Sequence, residues 1–370
     1  MSQAVDRKDA PWVRPLRVGL VAGAGTLARL GPAVRHLVVG LLDEPMHVTM
    51  VLPDSAGTPD VPSPPVQIIR YLPARLSFFR NRLIDSLAEA MSGAGVGLLH
   101  ALDGEALGLV RGLSPRMEVS YLVSVLGPRQ ELPVGDARCR GVLAASEPIL
   151  QAIRDSGDVG PETLRLLRPA IHQAHKAACF IDPTHTPAVV AAGPFDQVPP
   201  FAAVLEAMAA LREERRGCVF FVVGSGPAEA PLRRQAQKLR LMDELTFVDR
   251  RASEPIGDIL KAADLFISPV PSQEVEIELL SAMAAGVPVV TAGSEASDFV
   301  IPDRTALTFP TGQAAPLAAA LRRLLDDRAA ARNLAENALD HLRDHHSPAR
   351  MAGRLAEMYR GAVRGLPLPE

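Results

Sequence analysis

The chain has 370 residues, 48% of them apolar, which is enough for two domains that each bury a core. Its 39 Lys and Arg nearly balance 42 Asp and Glu, for a formal net charge of -3, and nothing in the sequence suggests the basic stripe that binds a nucleic-acid backbone. No apolar run approaches the roughly 20 residues of a membrane-spanning helix, because Arg, Asp, Glu or Pro interrupts each one.

The first residues, MSQAVDRKDAPW, are polar and lack the apolar centre of a secretory signal, which predicts a cytoplasmic location. Short β-branched or Leu-rich runs then alternate with longer amphipathic ones, the pattern of β-α units around parallel sheets covered on both faces. Strands are predicted at 16–22, 47–52, 97–101, 119–125 and 141–145, with helices over 33–42 and 75–91. The Pro-dense segment 53–66 reads as a surface loop. Residues 169–187 read as a boundary, after which strands at 188–192, 219–223, 245–248, 265–268, 287–291 and 306–309 resume the alternation. Helices are predicted between them at 200–212, 228–241, 256–262 and 278–285, and then at 315–323. Two further helices follow at 326–345 and 349–363, the last with Ser347 as N-cap and Pro348 as first residue.

This order predicts an α/β molecule of two Rossmann-like parallel-sheet domains facing a central cleft, where such folds bind ligands. Cys139, Cys179 and Cys218 have no ligand spacing and read as small buried side chains in a reducing compartment. His172, His175, His345 and His346 have no patterned carboxylate partners, so no metal is expected.

The segment FFVVGSGP (220–227) is a strand running into a glycine-rich turn, Gly224, Ser225, Gly226 and Pro227, and then into a helix. Backbone donors at a helix N-terminus suit a ribose, a base edge or a phosphate. The same turn also arises for steric reasons alone. Downstream stand ADLFISPVPS (263–272) and ELLSAMAAGVPVV (278–290). In this order the three motifs resemble the C-terminal lobe of the group 1 (family 4-like) glycosyltransferases of GT-B fold. LLHA (98–101) and VLAASEPILQAI (142–153) resemble that family's first lobe more loosely.

The resemblance implies an acceptor-side domain over residues 1–172, a nucleotide-sugar domain over 173–346, and a terminal helix in 347–370 that crosses back to the first. It implies transfer of a sugar from a nucleotide-sugar donor to a glycan or lipid-linked acceptor, with retention and without a metal cofactor. Peripheral membrane contact and a partner transferase are compatible with it.

In the family, a Glu in the cleft loop and a second Glu eight positions on hold the sugar and ribose hydroxyls. Aligned on LLSAMAAG, Ser281 takes the second position and Gln273 the first. The loop between Ser272 and Leu279 is two residues short, which leaves Glu274 and Glu276 as candidates for the missing catalytic carboxylate. Ser281 also reads as an ordinary helix serine. The family's phosphate-neutralising Arg and Lys fall at Pro194 and Pro199 of GPFDQVPPF (193–201), and proline carries neither charge nor N–H. Arg250, Arg251 and Lys261 are the cations nearby in sequence.

In VAGAGTL (21–27), Gly23 and Gly25 allow close backbone approach by a phosphate or an acceptor. No His stands near Leu126-Gly127, where the family has one, and His100 reads as structural or cleft-lining. Two functions fit these residues. One is a transferase whose backbone donors at Gly23, Gly25, Gly224 and Gly226 carry the diphosphate; the other is a non-catalytic pseudo-enzyme that binds a sugar or nucleotide, or serves a partner.

Overall fold

A computed structural model describes residues 15–73, 77–177, 179–182, 184–249 and 256–369. Strands β1 (Leu16–Val21), β2 (Met46–Pro53), β3 (Gln67–Tyr71), β4 (Leu98–Ala101), β5 (Ser120–Val125), β6 (Cys139–Ala144) and β7 (Leu164–Leu166) form one sheet. Their order is β3-β2-β1-β4-β5-β6-β7, with every pairing parallel. Helices α1 (Thr26–Asp43), α2 (Ser77–Gly93), α3 (Gly104–Met117) and α4 (Glu147–Ser156) connect them.

The second sheet holds β8 (Ala188–Ala192), β9 (Val219–Gly224), β10 (Leu245–Asp249), β11 (Leu265–Ser268), β12 (Val289–Thr291) and β13 (Leu307–Thr308). Its order is β10-β9-β8-β11-β12-β13, again parallel throughout. Its helices are α5 (Val198–Glu213), α6 (Glu229–Lys238), α7 (Gly257–Leu260), α8 (Ile277–Ala284), α9 (Ala314–Asp326) and α10 (Arg328–His345), and α11 (Pro348–Arg364) closes the chain. All five residues of β8 and all four of β11 are buried, as strands covered on both faces must be.

The predicted α/β architecture is present, with differences at its margins. Helix α1 starts at Thr26 rather than at 33, because it runs through Gly31-Pro32, which breaks the apolar pattern without ending the helix. Strands β3 and β7 go beyond the predicted set: β3 is a half-exposed edge strand and β7 has three residues, so neither shows a clear alternation. Ser347 occupies the N-cap of α11, yet its side chain makes no capping bond; Pro348 is the first helical residue.

Each sheet reverses its strand order once, between β1 and β4 in the first and between β8 and β11 in the second. Crevices outside the carboxyl ends of such strands are where open α/β sheets bind ligands. Helices α5, α6 and α9 enclose one core around Phe195, Phe201 and Phe220. The other core runs without interruption from the first sheet into Leu279, Leu280 and Met283 of α8. Helix α11 packs on α1 and against β4, β5 and β6. Gly40 of α1 permits this approach, since a Cβ there would lie 2.6 Å from that of Ala352.

Candidate functional site

On the first lobe, the turn after β1 carries Gly23 and Gly25, and a side chain from α3 covers it. A Cβ on Gly23 would collide with the Glu105 carboxylate, and Gly25 N–H points to Glu105 Oε2 at 3.4 Å. Beside it Asp103, buried after β4, caps α3 by accepting from Ala106 N–H at 2.8 Å and takes a second bond from the Thr26 hydroxyl. The Glu105 carboxylate therefore faces the glycine turn that the sequence offers to a phosphate, with Arg29 beside Gly25 and 3.7 Å from Asp103. Neither Asp103 nor Glu105 was among the sequence candidates; the Asp103-Gly-Glu105 run carries a helix-start signal and nothing that points to Gly23.

On the second lobe, Gly224, Ser225, Gly226 and Pro227 form the turn between β9 and α6. Phe195 fills it. Its N–H donates to Ser225 O at 3.0 Å and its carbonyl accepts from Ala228 N–H at 2.8 Å. A Cβ on Gly226 would lie 2.6 Å from the Phe195 carbonyl oxygen. The glycines of this turn are explained by that packing. Pro194 and Pro199 line a separate crevice of about 350 Å³ with Asp196, Gln197, Val270, Pro271, Thr311 and Gly312, at the ends of β8 and β11.

The loop before α8 distributes its candidates to different tasks. Gln273 and Glu274 press on Gly127 of the first lobe, where a Cβ would lie 2.8 Å from Gln273 O and 2.9 Å from Glu274 Cγ. Glu274 also pairs across the cleft with Arg29 Nη1 at 2.8 Å, and Val275 N–H donates to Leu126 O at 2.9 Å. A second stitch joins Asp298 to Glu147 N–H at 3.0 Å and to Arg168 at 2.8 Å.

Glu276 turns inward. Its Oε2 accepts from the Ser268 hydroxyl at 2.9 Å, while Oε1 is buried without a partner. Burial pushes this carboxyl up to about 7, against the opposing pull of hydrogen bonds from Ser268 and Ser294. A carboxyl group that titrates near neutrality at the carboxyl edge of a switch-point strand can grip hydroxyls or carry a proton.

Ser281 donates to Ile277 O at 2.6 Å, the back-bond expected of a helix serine, and also lines an interlobe cavity of about 610 Å³. Helix α1 contributes Leu27, Arg35 and His36 to that cavity, the connection between lobes contributes His172, and α7 and its end contribute Gly257 and Lys261. His36 and His172 stack edge to face at 4.6 Å, and burial holds the His36 imidazole down to about 4. Arg250 and Arg251 lie outside the described residues.

His100 serves the scaffold. It is fully buried, with Nδ1 at 2.6 Å from the Tyr359 hydroxyl and Nε2 at 2.9 Å from that of Ser124, and burial lowers its pKa to about 3. Among the described residues no three His, Cys, Asp or Glu side chains gather as a metal site requires, and no described helix is long and apolar enough to cross a membrane.

Residues 186–327 match the family model described as Glycosyl transferases group 1. The alpha-D-kanosaminyltransferase of Streptomyces kanamyceticus is 29% identical over 157 residues, 42% of this chain and 41% of that protein. The glycogen synthase of Mycobacterium tuberculosis is 32% identical over 171 residues, 45% of this chain and 41% of that protein. The matched segments thus span less than half of either relative. Among solved structures, a sucrose-phosphate synthase from Thermosynechococcus elongatus superposes with a TM-score of 0.71 at 22% identity, covering 95% of this chain and 100% of that one. Anabaena HepE in complex with UDP and glucose gives 0.70 at 15% identity, covering 92% and 98%. At these identities the likeness establishes the fold.

Proposed function

For a chain that belongs, through its second lobe, to the group 1 glycosyltransferases and carries the GT-B fold throughout, we propose transfer of a sugar from a nucleotide-sugar donor to a glycan or lipid-linked acceptor, with retention. The observation that carries this reading is the 610 Å³ interlobe cavity at Ser281. Ser281 stands at the family's ribose-binding position, and the cavity wall joins apolar surface suited to a base with two cations, Arg35 and Lys261. Among the described residues, both cations are held only by exposed ion pairs, to Asp60 and Asp258. Such pairs contribute about 0–1 kcal/mol, so a diphosphate can recruit both cations in place of those missing at Pro194 and Pro199. Glu276, which stands immediately before the same helix, is the group proposed to meet the donor sugar.

A second function, a non-catalytic pseudo-enzyme, is favoured by a different observation: Glu105 covers the first lobe's glycine turn and proline occupies both phosphate-neutralising positions. Calorimetry with UDP-, GDP-, ADP- and dTDP-glucose, followed by a hydrolysis assay on any binder, separates the two. The transferase requires micromolar binding of at least one donor that Ser281→Trp abolishes, and turnover that Glu276→Gln lowers by a factor of about 100 or more. Absence of binding across the panel would leave the non-catalytic function standing.

A further inference from the structure

We infer that the crevice at the carboxyl ends of β8 and β11 is a subsite for an uncharged saccharide, rebuilt from a place where the fold offers phosphate sites. The inference does not depend on whether transfer occurs.

The anion-binding devices that border this crevice are weakened among the described residues. No Lys, Arg or His lines the 350 Å³ crevice, and its one charged side chain is Asp196. Helix α5 begins there with Pro199 and Pro200 in its first turn, so two of the four N–H groups that a helix N-terminus presents are absent. Helix α9, whose approach through Thr311 and Gly312 forms the opposite wall, has Pro316 as its third residue. The neighbouring glycine turn has its Ala228 N–H committed to Phe195. A phosphate entering here would meet a carboxylate without a compensating cation.

The groups that remain are those that grip hydroxyls. Asp196 offers two acceptors, Gln197 an acceptor and two donors, and neither side chain has a hydrogen bond or ion pair among the described residues. Thr311 donates its hydroxyl proton to Pro269 O at 3.1 Å, which leaves its oxygen free to accept. The rings of Pro194 and Pro199 and the Val270 side chain supply apolar surface for the C–H face of a sugar ring. The volume falls at the small end of ligand pockets, about 300–1,000 Å³, which suits one or two sugar rings and excludes a whole nucleotide sugar.

The test uses the full chain, amide chemical-shift mapping and calorimetry. The probes are maltotriose, mannotriose and galactobiose as neutral saccharides, with inorganic pyrophosphate as the anion. At least one neutral saccharide is expected to shift amides of 195–198, 270 and 311–312, with pyrophosphate inert there. Asp196→Ala with Gln197→Ala should weaken that saccharide about 10- to 100-fold while leaving the fold intact, since neither side chain has a structural partner. Pro194→Arg with Pro199→Lys should admit pyrophosphate. The inference is overturned if no neutral saccharide binds, if binding survives the double alanine change, or if pyrophosphate occupies the wild-type crevice. Nucleotide-sugar binding at the Ser281 cavity is read separately, through Ser281→Trp.

Discussion

Glu276 is held where a carboxylate is hard to keep charged, and that has a measurable sign. Burial raises its folded pKa to about 7 from the ordinary carboxylate value of about 4.5, so the native state keeps a proton that the unfolded chain releases between those values. This group therefore adds stability at low pH that is lost as pH rises through about 7, at about 1.4 kcal/mol per pH unit across the window. Urea unfolding at about pH 5 and about pH 7 should show the wild type losing roughly 2–3 kcal/mol more than Glu276→Gln between the two conditions; equal slopes would refute a neutral, buried Glu276. His100 behaves oppositely, being held neutral by burial. Tyr359→Phe should cost about 1–3 kcal/mol, because it leaves His100 Nδ1 enclosed without its 2.6 Å partner. Neither environment was legible in the chain itself. Glu276 is one of three carboxylates within five residues, and only the folded loop separates the buried one from Glu274 at the interlobe contact and Glu278 on α8.

At the scale of elements, most of the fold was legible because parallel strands covered on both faces are apolar runs and their helices are amphipathic. AVVAA at β8 and LFIS at β11 could be read without coordinates. What failed were elements whose signal is weak for a physical reason: the start of α1 beyond its internal Pro32, the half-exposed β3, and the three-residue β7. Glycines show the same limit, since two in the interiors of helices that pack on each other have opposite meanings. Gly353 of α11 has open space around it, with only Glu44 Oε1 at 4.0 Å, whereas Gly40 of α1 lies against Ala352. Gly353→Ala should stabilise by about 0.5–1 kcal/mol through helix propensity alone. Gly40→Ala gains the same propensity but overpacks the α1–α11 contact, which costs about 1–3 kcal/mol. A net loss is expected, read in the same urea titrations; stabilisation by both changes would show that α11 does not depend on this close approach.

At the scale of the molecule, the two lobes behave as one packed body along α1, α8 and α11, and the candidate site is shaped by that closure more than by its motifs. The sequence assigns Gln273 and Glu274 to ligand, but the structure gives them a neighbour, because the loop after β5 arrives at the same point and sequence spacing carries no information about the other lobe. The contact has two parts of unequal weight. The Arg29–Glu274 pair is exposed on both sides and contributes about 0–1 kcal/mol. The backbone bond from Val275 to Leu126, seated on Gly127, is the part with no room to adjust, since the first atom a Cβ would meet is the Gln273 carbonyl. Gly127→Ala should therefore part the two loops, while Glu274→Ala should leave them joined. Hydrogen exchange of the Val275 amide and the radius of gyration in solution report on this. Faster exchange and a larger radius are expected for Gly127→Ala alone. If Glu274→Ala opens the molecule as far, the ion pair rather than the backbone contact holds the cleft shut, and its opening would then depend strongly on salt.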